Sequence, residues 1–260
     1  HRLIRRQRQM CIRDSFRTEL KYDFGNRRFY ISVLALCAVL LIVALPYRNH
    51  LIAFGGSTEG KAWLCTFTYA ITSEKALLFF PLLVPLATAA DIQEELHSRY
   101  AWFLINRIGK RNYIWMKSFG VAFTGGAISV SAAGIALVVF IVICRNIPTL
   151  NTLQNISEVI SITGIGFIRL FLNGALWSLC GSLTAVLTKN KYLSCAVPFI
   201  LYYVLTVFQE RYYRNYFFLS PKQWASPAYY GNGFCLLALL LISSLLVLAL
   251  RKCVVRRVVA

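Results

Sequence analysis

Six long apolar runs constrain this chain more than any other feature: Phe29–Pro46, Ala76–Ala90, Phe119–Cys144, Gly166–Leu187, Tyr192–Phe208 and Gly233–Leu250. Each approaches the length of helix needed to cross ~30 Å of hydrocarbon. The second is the shortest and gains length from Thr72–Lys75 or from Asp91 onward. A soluble domain alternates apolar and polar residues at amphipathic spacing, whereas here 58% of residues are hydrophobic and most lie in continuous stretches. The expected fold is therefore an all-α membrane protein with six transmembrane helices in one domain. The first run has no small-residue cleavage site after it and is followed by further spans, so no run resembles a cleaved signal peptide.

A formal charge of +18 would suggest nucleic acid were it spread over a soluble surface. Its placement argues otherwise. Residues 5–15, "RRQRQMCIRDS", resemble a translated sequencing adapter, so residues 1–15 are set apart as an artefact and 16–260 taken as the membrane domain. The first fifteen residues carry five arginines against one aspartate, leaving +14 for the remainder. With six spans and both termini in the cytoplasm, the inner segments hold fifteen Lys and Arg, among them Arg27, Arg28, Arg107, Arg111 and Arg251. The outer loops hold seven. This asymmetry follows the excess of basic residues in cytoplasmic loops, and it assigns the charge to the membrane surface, with no nucleic-acid partner.

The eight cysteines include no C-x-x-C pair and no neighbouring histidine, and only three histidines occur. The cysteines read as small apolar residues, and no metal site is expected. "GGSTEGKA", Gly55–Ala62, matches the phosphate-binding G-x-x-x-x-G-K but places Ala62 where a hydroxyl should hold magnesium, and no strand precedes it. It reads as a flexible outer loop, so the chain has no ATP site of its own.

Charge is densest in "DIQEELHSRYAWFLINRIGKRNY", residues 91–113. Ile92, Leu96, Tyr100, Phe103, Leu104 and Ile108 fall on one helical stripe, Glu94, Glu95, Ser98, Arg99 and Asn106 face elsewhere, and Gly109 ends the pattern. This predicts an amphipathic helix on the inner membrane surface between spans two and three, with Glu95 and Arg99 as an i, i+4 ion pair. The same Glu94-Glu95-x-x-x-Arg99 is similar to the first motif of the CAAX-type intramembrane proteases, in which glutamate activates water. That family's later F-x-x-x-H and second histidine motif are missing here.

A broader resemblance covers nearly the whole chain after residue 15. "FRTELKYDFGNRRFYISVLAL" resembles the start of type-two ATP-binding-cassette permeases of Gram-positive bacteria, with a short interfacial helix, a basic turn and Phe-Tyr entering the first span. "FFPLLVPLATAADIQEELHSRYAWFLINRIGKRNYIWMKSF" is similar to their second span, coupling segment and entry to the third. "VPFILYYVLTVF" and "LSPKQWASP" fit the fifth span and the segment before the sixth. The glycine often found after the acidic pair is replaced by Leu96 and His97.

The resemblance implies a non-enzymatic permease subunit of an exporter in the bacterial cytoplasmic membrane. A separate cytosolic ATPase would supply ATP and magnesium, and a second permease subunit would complete a homo- or heterodimer within the lipid bilayer. Glu94, Glu95, Arg99, Tyr100, Phe103, Arg107, Arg111, Tyr113 and Lys117 would form the ATPase-coupling region. Tyr100, Trp102 and Phe103 would anchor at the lipid interface, while Arg107, Lys110 and Arg111 meet lipid phosphate or the ATPase.

Arg169 and Asn173, one turn apart in span four, are candidates for the translocation path, although Arg169 lies close enough to the outer end to snorkel. Gly125-Gly126 and "GALWSLCGS" offer small residues for close helix packing. "AWLCTFTYAIT" and "RYYRNYFFLSPKQWASPAYY" are expected at the outer interface. The remaining alternatives are the intramembrane protease and a non-transporting membrane sensor or immunity protein.

Overall fold

A computed structural model describes residues 18, 20–53, 61–97, 100–145, 147, 156–228 and 230–259. Every regular element among them is helical. A short helix over residues 20–25 (α1) leads into α2 (Arg27–Ala53). There follow α3 (Ala62–Thr72), α4 (Glu74–Leu77), α5 (Phe80–His97), α6 (Tyr100–Ile108), α7 (Lys110–Ile143), α8 (Ile156–Thr188) and α9 (Lys191–Tyr212). A 3₁₀ turn at Phe217–Leu219, α10 (Pro221–Ala225) and α11 (Gly231–Val259) complete the chain.

Five of these helices, α2, α7, α8, α9 and α11, are long and apolar enough to cross a membrane. Ala62–Thr72 and Glu74–Ala89 pass the same test only together, across a bend of 47°. The pair is by length and composition either one broken span or a re-entrant loop. Proline occurs inside α2 (Pro46), α5 (Pro85) and α9 (Pro198), as helices in apolar surroundings tolerate when neighbours stabilise the backbone.

The helices outrun the apolar stretches that reveal them. α7 has 34 residues, or about 51 Å at 1.5 Å per residue against ~30 Å of hydrocarbon. Backbone hydrogen bonding continues into more polar surroundings, so apolarity marks the middle of a helix and not its ends. Around the last turns of α2 and α7, Leu51 and Cys144 enclose Ala62 at the start of α3. α3 is therefore more than an interfacial strip: Leu64, Phe67, Ala70 and Ile71 are buried in the bundle.

α8 occupies the centre, packed on α3, α5, α7, α9, α10 and α11. Its approach to α7 depends on small residues. A Cβ at Gly174 would collide with the Gly125 carbonyl and Ser129, and one at Gly126 would stand 2.5 Å from the Phe171 ring. Ser178 Oγ donates across this contact to the Val121 carbonyl at 2.6 Å. The small residues thus act in helix packing as expected, and interhelical hydrogen bonding accompanies the close fit. Similarly, a Cβ on Gly181 would lie 2.6 Å from Pro85 of α5.

Contacts order the ends. The start of α2 meets the end of α5 through Arg28 and Glu94, while Ile92, Tyr113, Val186, Leu250 and Val254 join the ends of α5, α8 and α11 to the start of α7. We call this the terminal end. At the opposite end, Lys222 of α10 reaches both Glu74 at the start of α4 and Glu210 in α9. The cysteines described, from Cys37 to Cys253, are all free thiols, while Cys11 and Gly55–Gly60 of the glycine-rich motif lie outside the described residues.

Candidate functional site

The charged segment covers the end of α5, α6 and the start of α7. α5 ends at His97, α6 begins at Tyr100, and Ser98 and Arg99 lie outside the described residues. Ile92 and Ile108 are buried in one cluster with Leu104 against it, as a shared stripe requires. Phe103 is 75% exposed. Gly109 then turns the chain into α7 at φ +88°, a backbone conformation that side-chain-bearing residues resist.

Glu94 and Glu95 diverge because adjacent helical residues point about 100° apart. Glu94 accepts from Arg28 Nη2 at 3.2 Å on the surface. Glu95 turns into the bundle, where its Oε1 accepts from Lys117 Nζ at 2.6 Å and its Oε2 from the Tyr113 hydroxyl at 3.3 Å. The expected i, i+4 partner Arg99 is outside the described residues; the partners seen come from α7, 18 and 22 positions along the chain. Lys117 and Glu95 side chains are only 7% and 20% exposed, so this pair joins two helices instead of decorating one.

The candidate coupling residues consequently fall into two sets. Glu94, Phe103, Arg107 and Arg111 are exposed and open to a partner. Tyr113 and Lys117 are buried, and with Glu95 they form a polar cluster beneath that surface. The side-chain surroundings of Tyr100 and Trp102 are outside what is described.

The second polar centre lies within the wall of the bundle. Arg169 is 5% exposed and Asn173 3%. The arginine does not snorkel: Nη1 donates to Asn232 Oδ1 at 3.1 Å, across to the start of α11. Asn173 Oδ1 accepts from Trp177 Nε1 at 3.0 Å. Arg169 Nε and Asn173 Nδ2 lack acceptors, and among the described residues no carboxylate pairs with Arg169. Positive φ at Gly231 (+74°) sets the turn that places Asn232. The signal for the partner was a polar residue at the start of the sixth apolar run, but nothing local ties it to residue 169.

Among the described residues no group of three or more His, Cys, Asp and Glu side chains is placed to hold a metal. At the opposite end Lys222 donates to Glu210 at 2.6 Å and lies 3.2 Å from Glu74. Burial alone lowers its pKa; the hydrogen bonds and charges of Glu210 and Glu74 outweigh that and raise it above the usual lysine value. No family model matches the chain, and no curated protein matches it.

Proposed function

We propose that this chain is the membrane-spanning permease subunit of an exporter powered by a separate cytosolic ATPase. In this reading the bent α3–α5 unit counts as one span, making six, and the terminal end faces the cytoplasm of a bacterial cell. Two permease subunits, identical or different, stand with two ATPases in the bilayer. ATP and magnesium belong to the ATPase, and this chain performs no chemistry.

The observation that carries the reading is the mounting of the charged segment. α6 exposes Phe103 and Arg107, Arg111 continues the exposed surface at the start of α7, and Glu95 links the end of α5 to α7 through Lys117 and Tyr113. A push on α6 by a partner would reach α7, and through the close Gly125–Gly174 contact, α8. Arg169 and Asn173 sit on that helix, with two donors lacking partners, which supports their candidacy on the path. Glu95 acts here as a helix tie. The protease alternative would need that carboxylate to face substrate water, and nothing in the geometry favours it.

Purification from native membranes in mild detergent tests the proposal. An ATPase with a complete phosphate-binding loop should co-purify, and Phe103→Asp with Arg107→Glu and Arg111→Glu should release it while leaving the bundle folded, because all three side chains are exposed. A folded chain that retains no ATPase in its unmutated form would overturn the reading in favour of a sensor or immunity protein.

A further inference from the structure

We infer that the groove between α7, α8 and α11 is a binding site for one anionic phospholipid, with an acyl chain in the groove and the headgroup phosphate on Arg251. The groove holds about 650 Å³ and is lined by Trp115, Phe119, Phe123, Leu172, Leu240 and Leu248, among others. Ser243 and Ser244 are its hydroxyl-bearing residues, but their hydroxyls donate back to the carbonyls of Leu240 and Leu241 at 3.0 and 2.8 Å. The groove therefore presents hydrocarbon and asks nothing of a ligand's polarity. Phe119, 55% exposed, and Leu248, 53% exposed, leave it open at the side of the bundle, where lipid surrounds membrane-spanning helices.

Length and direction then select the ligand. The lining runs from Trp115 to Phe123 on α7 and from Leu240 to Leu248 on α11, nine residues each, or about 12 Å of helix between the first and last Cα. At the terminal end Trp115 stacks on Phe119, with ring centroids 5.4 Å apart, and the Arg251 guanidinium stands 5.5 Å from the Trp115 centroid. Arg251 is one turn beyond Val247 and Leu248. Among the described residues it has no carboxylate partner, so its fork of N–H donors is available to phosphate.

Lys252 and Arg256 on the same helix end are exposed and add positive potential. A tail-first amphiphile with an anionic head fits both the groove and its mouth. A helix from a second copy would fill the apolar groove but leave the cation at its mouth without a counter-charge. The inference requires only membrane-spanning helices, and it stands or falls independently of the exporter reading.

Native mass spectrometry on protein released from nanodiscs of equal phosphatidylglycerol and phosphatidylcholine, matched in acyl chains, tests it. One retained phosphatidylglycerol is expected, favoured over phosphatidylcholine by about fivefold, the factor for one basic residue against an anionic head. Arg251→Gln should remove the preference while leaving the retained count unchanged. Ala122→Phe, which fills the groove, should abolish retention of both lipids. Equal retention of the two lipids by the unmutated protein would overturn the inference, as would a preference that survives Arg251→Gln. Conversion of a dimer to a monomer by Ala122→Phe, with lipid retention intact, would instead assign the groove to a second copy. Should Ala122→Phe not fold, the Arg251→Gln comparison still decides the matter.

Discussion

The two ends of the bundle both carry a lysine tied to carboxylates, but in opposite circumstances. At the terminal end Lys117 and Glu95 have side chains 7% and 20% exposed, with the Tyr113 hydroxyl as a third member. At the other end Lys222 is 13% exposed, whereas its carboxylates, Glu74 and Glu210, are 67% and 53% exposed. The first is a tie sunk between two helices. The second is a cation sheltered beneath carboxylates that water reaches. A sheltered pair depends on both partners because either one alone is a charge in a poor solvent; a pair whose carboxylates are wet depends on each only weakly.

The largest effect should come from breaking the sunken tie on one side. Lys117→Met removes the 2.6 Å ion pair from the Glu95 carboxylate, and should destabilise the protein by on the order of 3 kcal/mol, the scale of a buried pair losing one member. Adding Glu95→Leu to Lys117→Met should recover most of this, since the sheltered carboxylate that lost its lysine is then gone as well. Thermal unfolding in detergent measures both. A double variant no better than the single would show that the pair is wet, and would erase the distinction between the two ends.

Lys222→Met should cost less, about 1 kcal/mol, because water screens both carboxylates. Glu74→Gln and Glu210→Gln should each cost less again, as the remaining acceptor keeps the ammonium. The raised pKa of Lys222 fixes the pH dependence. A cation held by its partners stabilises the fold fully below its unfolded-state value of ~10.4, and the contribution is lost as pH rises through the higher folded-state value. The stability gap between unmutated protein and Lys222→Met should thus be level near about pH 8 and shrink only in alkali beyond ~10.4. It should also shrink in high salt, which the Lys117 gap should resist.

Both ends show what a sequence conveys and where it stops. The long apolar helices were legible because an apolar run long enough to cross hydrocarbon has few other uses; Phe119–Cys144 and Gly233–Leu250 lie largely within α7 and α11. Small-residue packing at Gly125 was legible for a related reason, since two helices cannot approach closely without it. The helix ends were not, because the backbone continues its hydrogen bonding after hydropathy has fallen away.

The polar partners were harder still. Spacing identifies neighbours within a helix, so Glu95 pointed to Arg99, and nothing in that spacing indicates Lys117 on the next long helix. Arg169 pointed outward to the interface because its partner Asn232 is 63 residues away. "AWLCTFTYAIT" looked interfacial from its aromatics, yet its buried face exists only because α2, α7 and α8 extend far enough to receive it.

The smallest effect on stability should come from the surface pair beside the sunken tie, and it is the one that bears on function. Arg28 and Glu94 are 41% and 55% exposed at 3.2 Å, so Glu94→Gln should change stability by no more than about 0.5 kcal/mol. Glu95→Gln, by contrast, strips the charge from the Lys117 tie and should be felt as instability before anything else. The two neighbouring glutamates therefore separate mounting from contact. If the exposed set is where an ATPase docks, Glu94→Gln should weaken co-purification of that ATPase in high-salt washes while the melting temperature stays put. An unchanged melting temperature together with unchanged ATPase retention at every salt concentration would remove Glu94 from the docking surface and leave α6 and Arg111 to carry it.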